Sequence, residues 1–174
     1  MKVDGVAWRS ISEDGPDAVR IVDQTRLPYA FTTLRLDGCN PVADAIRTMQ
    51  VRGAPLIGVA AAYGIALAMQ RDGSNSALDA ADAQLLETRP TAVNLRWALA
   101  RMRALLLPLA PAERARAAWR EAGRIADEDV EINRRLGAHG AGLIAAAHAR
   151  AQRPVNVLTH CNAGWIATVD YGTA

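Results

Sequence analysis

The run from Leu56 to Met69, IGVAAAYGIALA flanked by Leu and Met, carries no charge and a single polar atom, the Tyr63 hydroxyl. A helix that is apolar on every side has to be surrounded, by protein or by lipid. This run falls short of the ~20 residues that a bilayer crossing needs. It is therefore expected as the buried central helix of a core, with Gly58, Ala61 and Gly64 letting neighbouring backbones close in. At 174 residues and 51% hydrophobic content, the chain is long enough for one full globular domain, or for one domain and the opening of a second.

The segments on either side follow from period and punctuation. Val6–Ile11, Ala18–Asp23 and Thr32–Leu36 read as short strands of a small antiparallel sheet, with Gly15-Pro16 and Leu27-Pro28 as turns. Asn40-Pro41 opens a helix, with Asn40 as cap. Further helices are expected over Ala77–Leu86 and Val93–Leu107, and a long one over Ala112–Arg135. Its Glu121, Asp127, Glu128, Asp129 and Glu131 among arginines suggest a solvated face. Gly137 to Gly140 predicts a break, and Ala141–Ala149 a last short helix before Pro154. Val155–Thr159 then reads as a buried strand, and the small and apolar residues from Trp165 have helical spacing.

Three places in this order can carry chemistry. Cys161 falls where the expected strand ends and a helix would begin, where unpaired N–H groups favour a thiolate. It is a candidate nucleophile or proton-transfer group, against the alternative of a small core residue. Arg52, in the run Arg52-Gly53-Ala54-Pro55 ahead of the apolar helix, could meet an anion together with the free N–H groups of that helix, or could be a solvated turn residue. Arg89, held extended by Pro90, projects ahead of the next helix in the same way, with the same alternative.

Composition removes several classes. Lys2 is the only lysine, so there is no internal Schiff-base lysine and no phosphate-loop lysine past the N-terminus. A net charge of +2, with arginines spread along helices, gives no footprint for nucleic acid. Met1–Gly5 is not followed by an apolar signal segment, and Cys39 and Cys161 lie far apart, so a reduced cytoplasmic protein is expected. His139, His148 and His160 fit no metal-ligand spacing, and no metal is expected.

Taken together, Val51–Gly58 with Ala60–Gly64, Thr88–Leu95, His139-Gly140 and Leu158–Asn162 resemble the 5-methylthioribose 1-phosphate isomerases of methionine salvage. Ile21–Gln24 and Leu27-Pro28 match as well, so the resemblance covers nearly the whole chain in order. It implies an aldose-to-ketose isomerase without metal or organic cofactor, acting on a sugar phosphate and dimeric as a full-length protein, with no nucleic acid or membrane partner. Its architecture would be α/β: an N-terminal small sheet and helical region over residues 1–150, then a Rossmann-like domain of which residues 151–174 are the first strand and little more. By the same resemblance Cys161 matches the active-site cysteine, Arg52-Gly53-Ala54 the substrate-binding loop, and Arg89 a phosphate-binding arginine.

The anomeric oxygen of such a substrate carries phosphate, so the ring cannot open simply to an aldehyde. An acid must help the ring oxygen leave while hydrogen passes from C2 to C1, by proton transfer with Cys161 as base or by hydride shift. The family's catalytic aspartate, a substrate-site glutamine and an asparagine-lysine pair lie in its second half, and Asp170 matches none of them. Other readings within the superfamily are a ribose 1,5-bisphosphate isomerase and a non-catalytic regulatory subunit of the initiation-factor exchange complex. A helical assembly module is a further one.

Overall fold

The computed structural model describes all residues, 1–174. Two small antiparallel sheets precede five helices. The first sheet is a hairpin of β1 (Lys2–Val3) and β2 (Val6–Ala7), turned by Asp4 and Gly5, both at positive φ as a two-residue hairpin loop requires. The strand expected over Val6–Ile11 is thus split. Its second part joins another sheet, in which β4 (Val19–Val22) lies between β3 (Ile11–Glu13) and β5 (Thr33–Leu36).

Alternation decides which face of this second sheet is buried. Ile11, Val19, Ile21 and Leu36 enter the core, while Arg20 lies opposite Arg35 on the outer face. Two like charges across a ladder repel. Here Asp14 accepts from Arg20 at 2.9 and 3.0 Å and Asp17 from Arg35 at 3.0 Å, which offsets the repulsion.

The helices are α1 (Cys39–Arg47), α2 (Ala54–Arg71), α3 (Asn75–Thr88), α4 (Val93–Leu106) and α5 (Pro111–Ala151). Gly38, not Asn40, caps α1, which places Pro41 inside the first turn, where its missing N–H still costs nothing. The apolar run is the centre of the core as expected. Every residue from Leu56 to Leu67 is buried, and α1, α3, α4 and α5 all pack on α2. By length and composition α2 could also span a membrane, yet its surface is taken up by its own neighbours. Close approach uses the small residues: a Cβ at Gly58 would stand 2.8 Å from the Asn94 carbonyl oxygen of α4.

Two expectations for α5 fail. The break at Gly137–Gly140 does not occur, and α5 runs as one helix of 41 residues. Isolated glycines cost a helix only about 1 kcal/mol each, and the alanine-rich flanks carry the hydrogen bonding through them. Nor is the acidic face of α5 wholly solvated. Glu121 is buried and accepts from Arg101 of α4 at 2.7 Å, and Arg101 also grips Glu128, an interhelical tie that spacing along one helix cannot reveal.

Candidate functional site

The strand expected over Val155–Thr159 is not formed. These residues are irregular and largely exposed, with Leu158 98% exposed, and they join neither of the two sheets. Downstream, the expected helix is a single 3-10 turn, Trp165–Ala167. Cys161 therefore sits not at a strand-to-helix junction but on an exposed strap, at φ +66° in the left-handed region. The helix that was to favour its thiolate form is absent. The core alternative fails too, since the sulfur is exposed.

What the structure does build is the anchor of that strap. Trp165 stacks on Phe31, which meets Trp8 edge-on. Ser10 donates its backbone N–H to the Val169 carbonyl at 2.9 Å, and the Val169 N–H donates to the Asp129 carboxylate of α5 at 2.7 Å. Burial pushes the Asp129 carboxyl upward, against the hydrogen bonds from Val169 and Asn133 that favour its charged form.

The loop bearing Arg52 meets the same turn. Gly53 caps α2 at φ +101°, and a Cβ there would lie 2.3 Å from the Ala167 α-carbon and 2.5 Å from its oxygen. Only glycine fits both the torsion and the space. Gln24, buried just beyond β4, donates from one amide nitrogen to the Ile166 carbonyl at 2.7 Å and to the Arg52 carbonyl at 3.3 Å. Arg52 and the strap that carries Cys161 are thus tied through their backbones. No side chain caps α2, and the Arg52 guanidinium ahead of it is exposed and in no ion pair.

Arg89 stands apart from this clamp. It is the half-buried C-terminal cap of α3, and its carbonyl accepts from Ala92 N–H at 2.9 Å. It makes no hydrogen bond to Arg52 or to the strap. Because Gly58 of α2 packs on Asn94 of α4, both arginine loops nevertheless lead into helices that start at one end of the bundle. Beside those starts lies a cleft of about 500 Å³ lined by Pro55, Val93, Trp97, Asp129 and Leu136 among others.

Sequence reasoning missed Gln24 as a tie and read Asp129 as solvated. Gln24 had a signal, since Ile21–Gln24 belonged to the resemblance. Asp129 had none, its partner being forty residues away.

Two small sheets and a helical layer around one apolar helix, with an arginine-bearing helix start tied to a cysteine-bearing strap, define the class: an α/β unit built on a central buried helix. Residues 50–170 match the Initiation factor 2 subunit family, and the chain belongs to that family. It is 60% identical to a methylthioribose-1-phosphate isomerase of Methylobacterium nodulans, over all of this chain and 48% of that protein. It is 58% identical to one of Rhodospirillum centenum, over all of this chain and 47% of that one. The crystal structure of 5-methylthioribose 1-phosphate isomerase from Pyrococcus horikoshii superposes with a TM-score of 0.79 at 39% identity, over 96% of this chain and 47% of that one. The structure of translation initiation factor eIF-2B, subunit delta, from A. fulgidus gives the same score and identity, over 97% and 49%. The chain spans about half the length of the curated relatives it matches.

Proposed function

We propose that this chain is the N-terminal half of an isomerase that converts 5-methylthioribose 1-phosphate to 5-methylthioribulose 1-phosphate in methionine salvage. The observation that carries the reading is the tie between the Arg52 loop and the strap bearing Cys161, found in a chain 60% identical to a protein of that name. In this reading Arg52, with the N–H groups at Gly53 and Ala54, holds the phosphate, because a helix start and a forked guanidinium both favour a dianion. Arg89 approaches the same phosphate from the neighbouring helix start. Cys161, exposed on its strap, exchanges a proton at C2 while an acid from the second half assists the ring oxygen. Val155–Thr159 becomes the first strand of a Rossmann-like second domain when that domain's strands are there to pair with, and the whole protein is a cytoplasmic homodimer. The likeness to an initiation-factor subunit supports a regulatory reading less well, since relatives at 52–60% identity carry the isomerase name.

The test joins this chain to the C-terminal half of the Methylobacterium nodulans isomerase and assays 5-methylthioribose 1-phosphate. Turnover is expected, with Cys161→Ser lowering kcat by about 10²-fold or more and Arg52→Ala acting mainly on KM. A folded fusion without turnover, or one indifferent to Cys161→Ser, refutes the proposal.

A further inference from the structure

We propose that Gln24 is a positioning residue, whose single amide nitrogen sets the distance between the anion-holding loop at Arg52 and the strap bearing Cys161. This rests on the roles given above to Arg52 and Cys161. Three observations carry it. The side chain is 5% exposed, so neither of its contacts is shared with bulk water. Both of its amide hydrogens are used, one on the Ile166 carbonyl at 2.7 Å and one on the Arg52 carbonyl at 3.3 Å. Two acceptors on one side also fix which way the amide points, because the flipped orientation would set an oxygen against two oxygens. Its own backbone is held as well, the Gln24 N–H donating to the Gln50 carbonyl at 3.1 Å, so the side chain starts from a fixed point beside β4.

The consequence is geometric. The Gly53 torsion lets the loop approach Ala167, but a torsion sets no separation by itself. The amide does, since an NH₂ group whose two hydrogens reach two carbonyls holds those carbonyls at one spacing. No other side chain bonds both segments. Losing it frees the arginine loop to move relative to the thiol, so a phosphate on Arg52 is no longer held where it shields the sulfur. The Gln24 Oε1 atom, buried and without a partner, takes no share in this and marks the amide as placed for its donors.

The test is peptide-resolved alkylation of Cys161 by iodoacetamide in the 174-residue chain, with inorganic phosphate as probe. In the parent sequence phosphate slows alkylation saturably, by crowding the sulfur, and Arg52→Ala removes the effect. Gln24→Met keeps the side-chain length and removes both donors. It is expected to leave the rate without phosphate within about twofold and to raise the half-saturating phosphate about tenfold, the loss of roughly one hydrogen bond's worth of alignment. Gln24→Glu, a carboxylate facing two carbonyl oxygens, serves as the second variant. An unchanged half-saturation in either folded variant, while protection in the parent depends on Arg52, overturns the role of Gln24 and leaves the site standing. Absence of protection in the parent overturns both. Failure of both variants to fold, judged by circular dichroism, makes Gln24 a determinant of the fold and overturns its role in positioning.

Discussion

Gly53→Ala asks whether the approach of the arginine loop to the Trp165–Ala167 turn is as close as described. Two costs add. Holding alanine at φ +101° costs about 1–3 kcal/mol, because an L side chain is strained there. The new Cβ would also stand 2.3 Å from the Ala167 α-carbon, a backbone atom that cannot swing aside, and forcing packed segments apart costs roughly another 1–3 kcal/mol. The sum is about 2–6 kcal/mol, and even its lower end lowers the melting temperature of a chain this size by about 4–8 °C. Thermal and urea unfolding read the loss directly, and limited proteolysis between Gln152 and Gly164 should become faster as the strap loses its seat. Gly137→Ala is the control. That position is helical, with nothing near its added methyl, so it should gain up to about 1 kcal/mol. If Gly53→Ala costs less than about 0.5 kcal/mol, the contact with Ala167 is not made and the clamp built on it falls.

Other outcomes follow from single side chains. Asp129 has a folded-state pKa raised by burial, so its contribution to stability is full below its unfolded value near 3.8 and is lost as pH rises through the folded value. Asp129→Asn should therefore gain on the parent between pH 4 and pH 7 in urea titrations, and a constant difference would contradict the shift. Arg114 is buried and donates to the carbonyls of Gly73, Leu107 and Leu109, so Arg114→Leu should lose about 2–4 kcal/mol in the same assay. Burial pushes the Cys39 thiol up to about 11, whereas Cys161 is exposed. A thiol reagent at pH 8 should count one fast cysteine in the folded chain and two in denaturant. Exposed Leu136, Leu143 and Leu158 predict concentration-dependent association in sedimentation, weakened by Leu143→Glu with Leu158→Glu.

Much of the fold was legible because its cause is local. An uncharged run of small and apolar residues admits one place in a soluble unit, the middle, and the order of sheet and helices followed from turn chemistry and period. The failures share a different cause. Val155–Thr159 has the composition of a buried strand but joins neither sheet, and strand formation depends on a neighbour that composition does not name. The glycines of α5 look like punctuation, yet their cost is small beside the hydrogen bonds that run past them. For the candidate site, the residue types at Arg52 and Cys161 were readable. The atoms that bring their loops together, the Gln24 amide and the space left at Gly53, depend on contacts across more than a hundred positions.

The unbroken course of α5 sets a distance that the strap must cover. From Asp129 to Ala151 the helix climbs about 33 Å, and the chain has to come back that far before the Val169 N–H can reach the Asp129 carboxylate. A fully extended return from Gln152 would span at most roughly 60 Å. The reach is therefore spent about half on distance and half on slack. The helix acts as a ruler for where the sulfur hangs: removing one turn between Asp129 and Ala151 would slacken the strap by about 5 Å and leave the anchor at Val169 untouched.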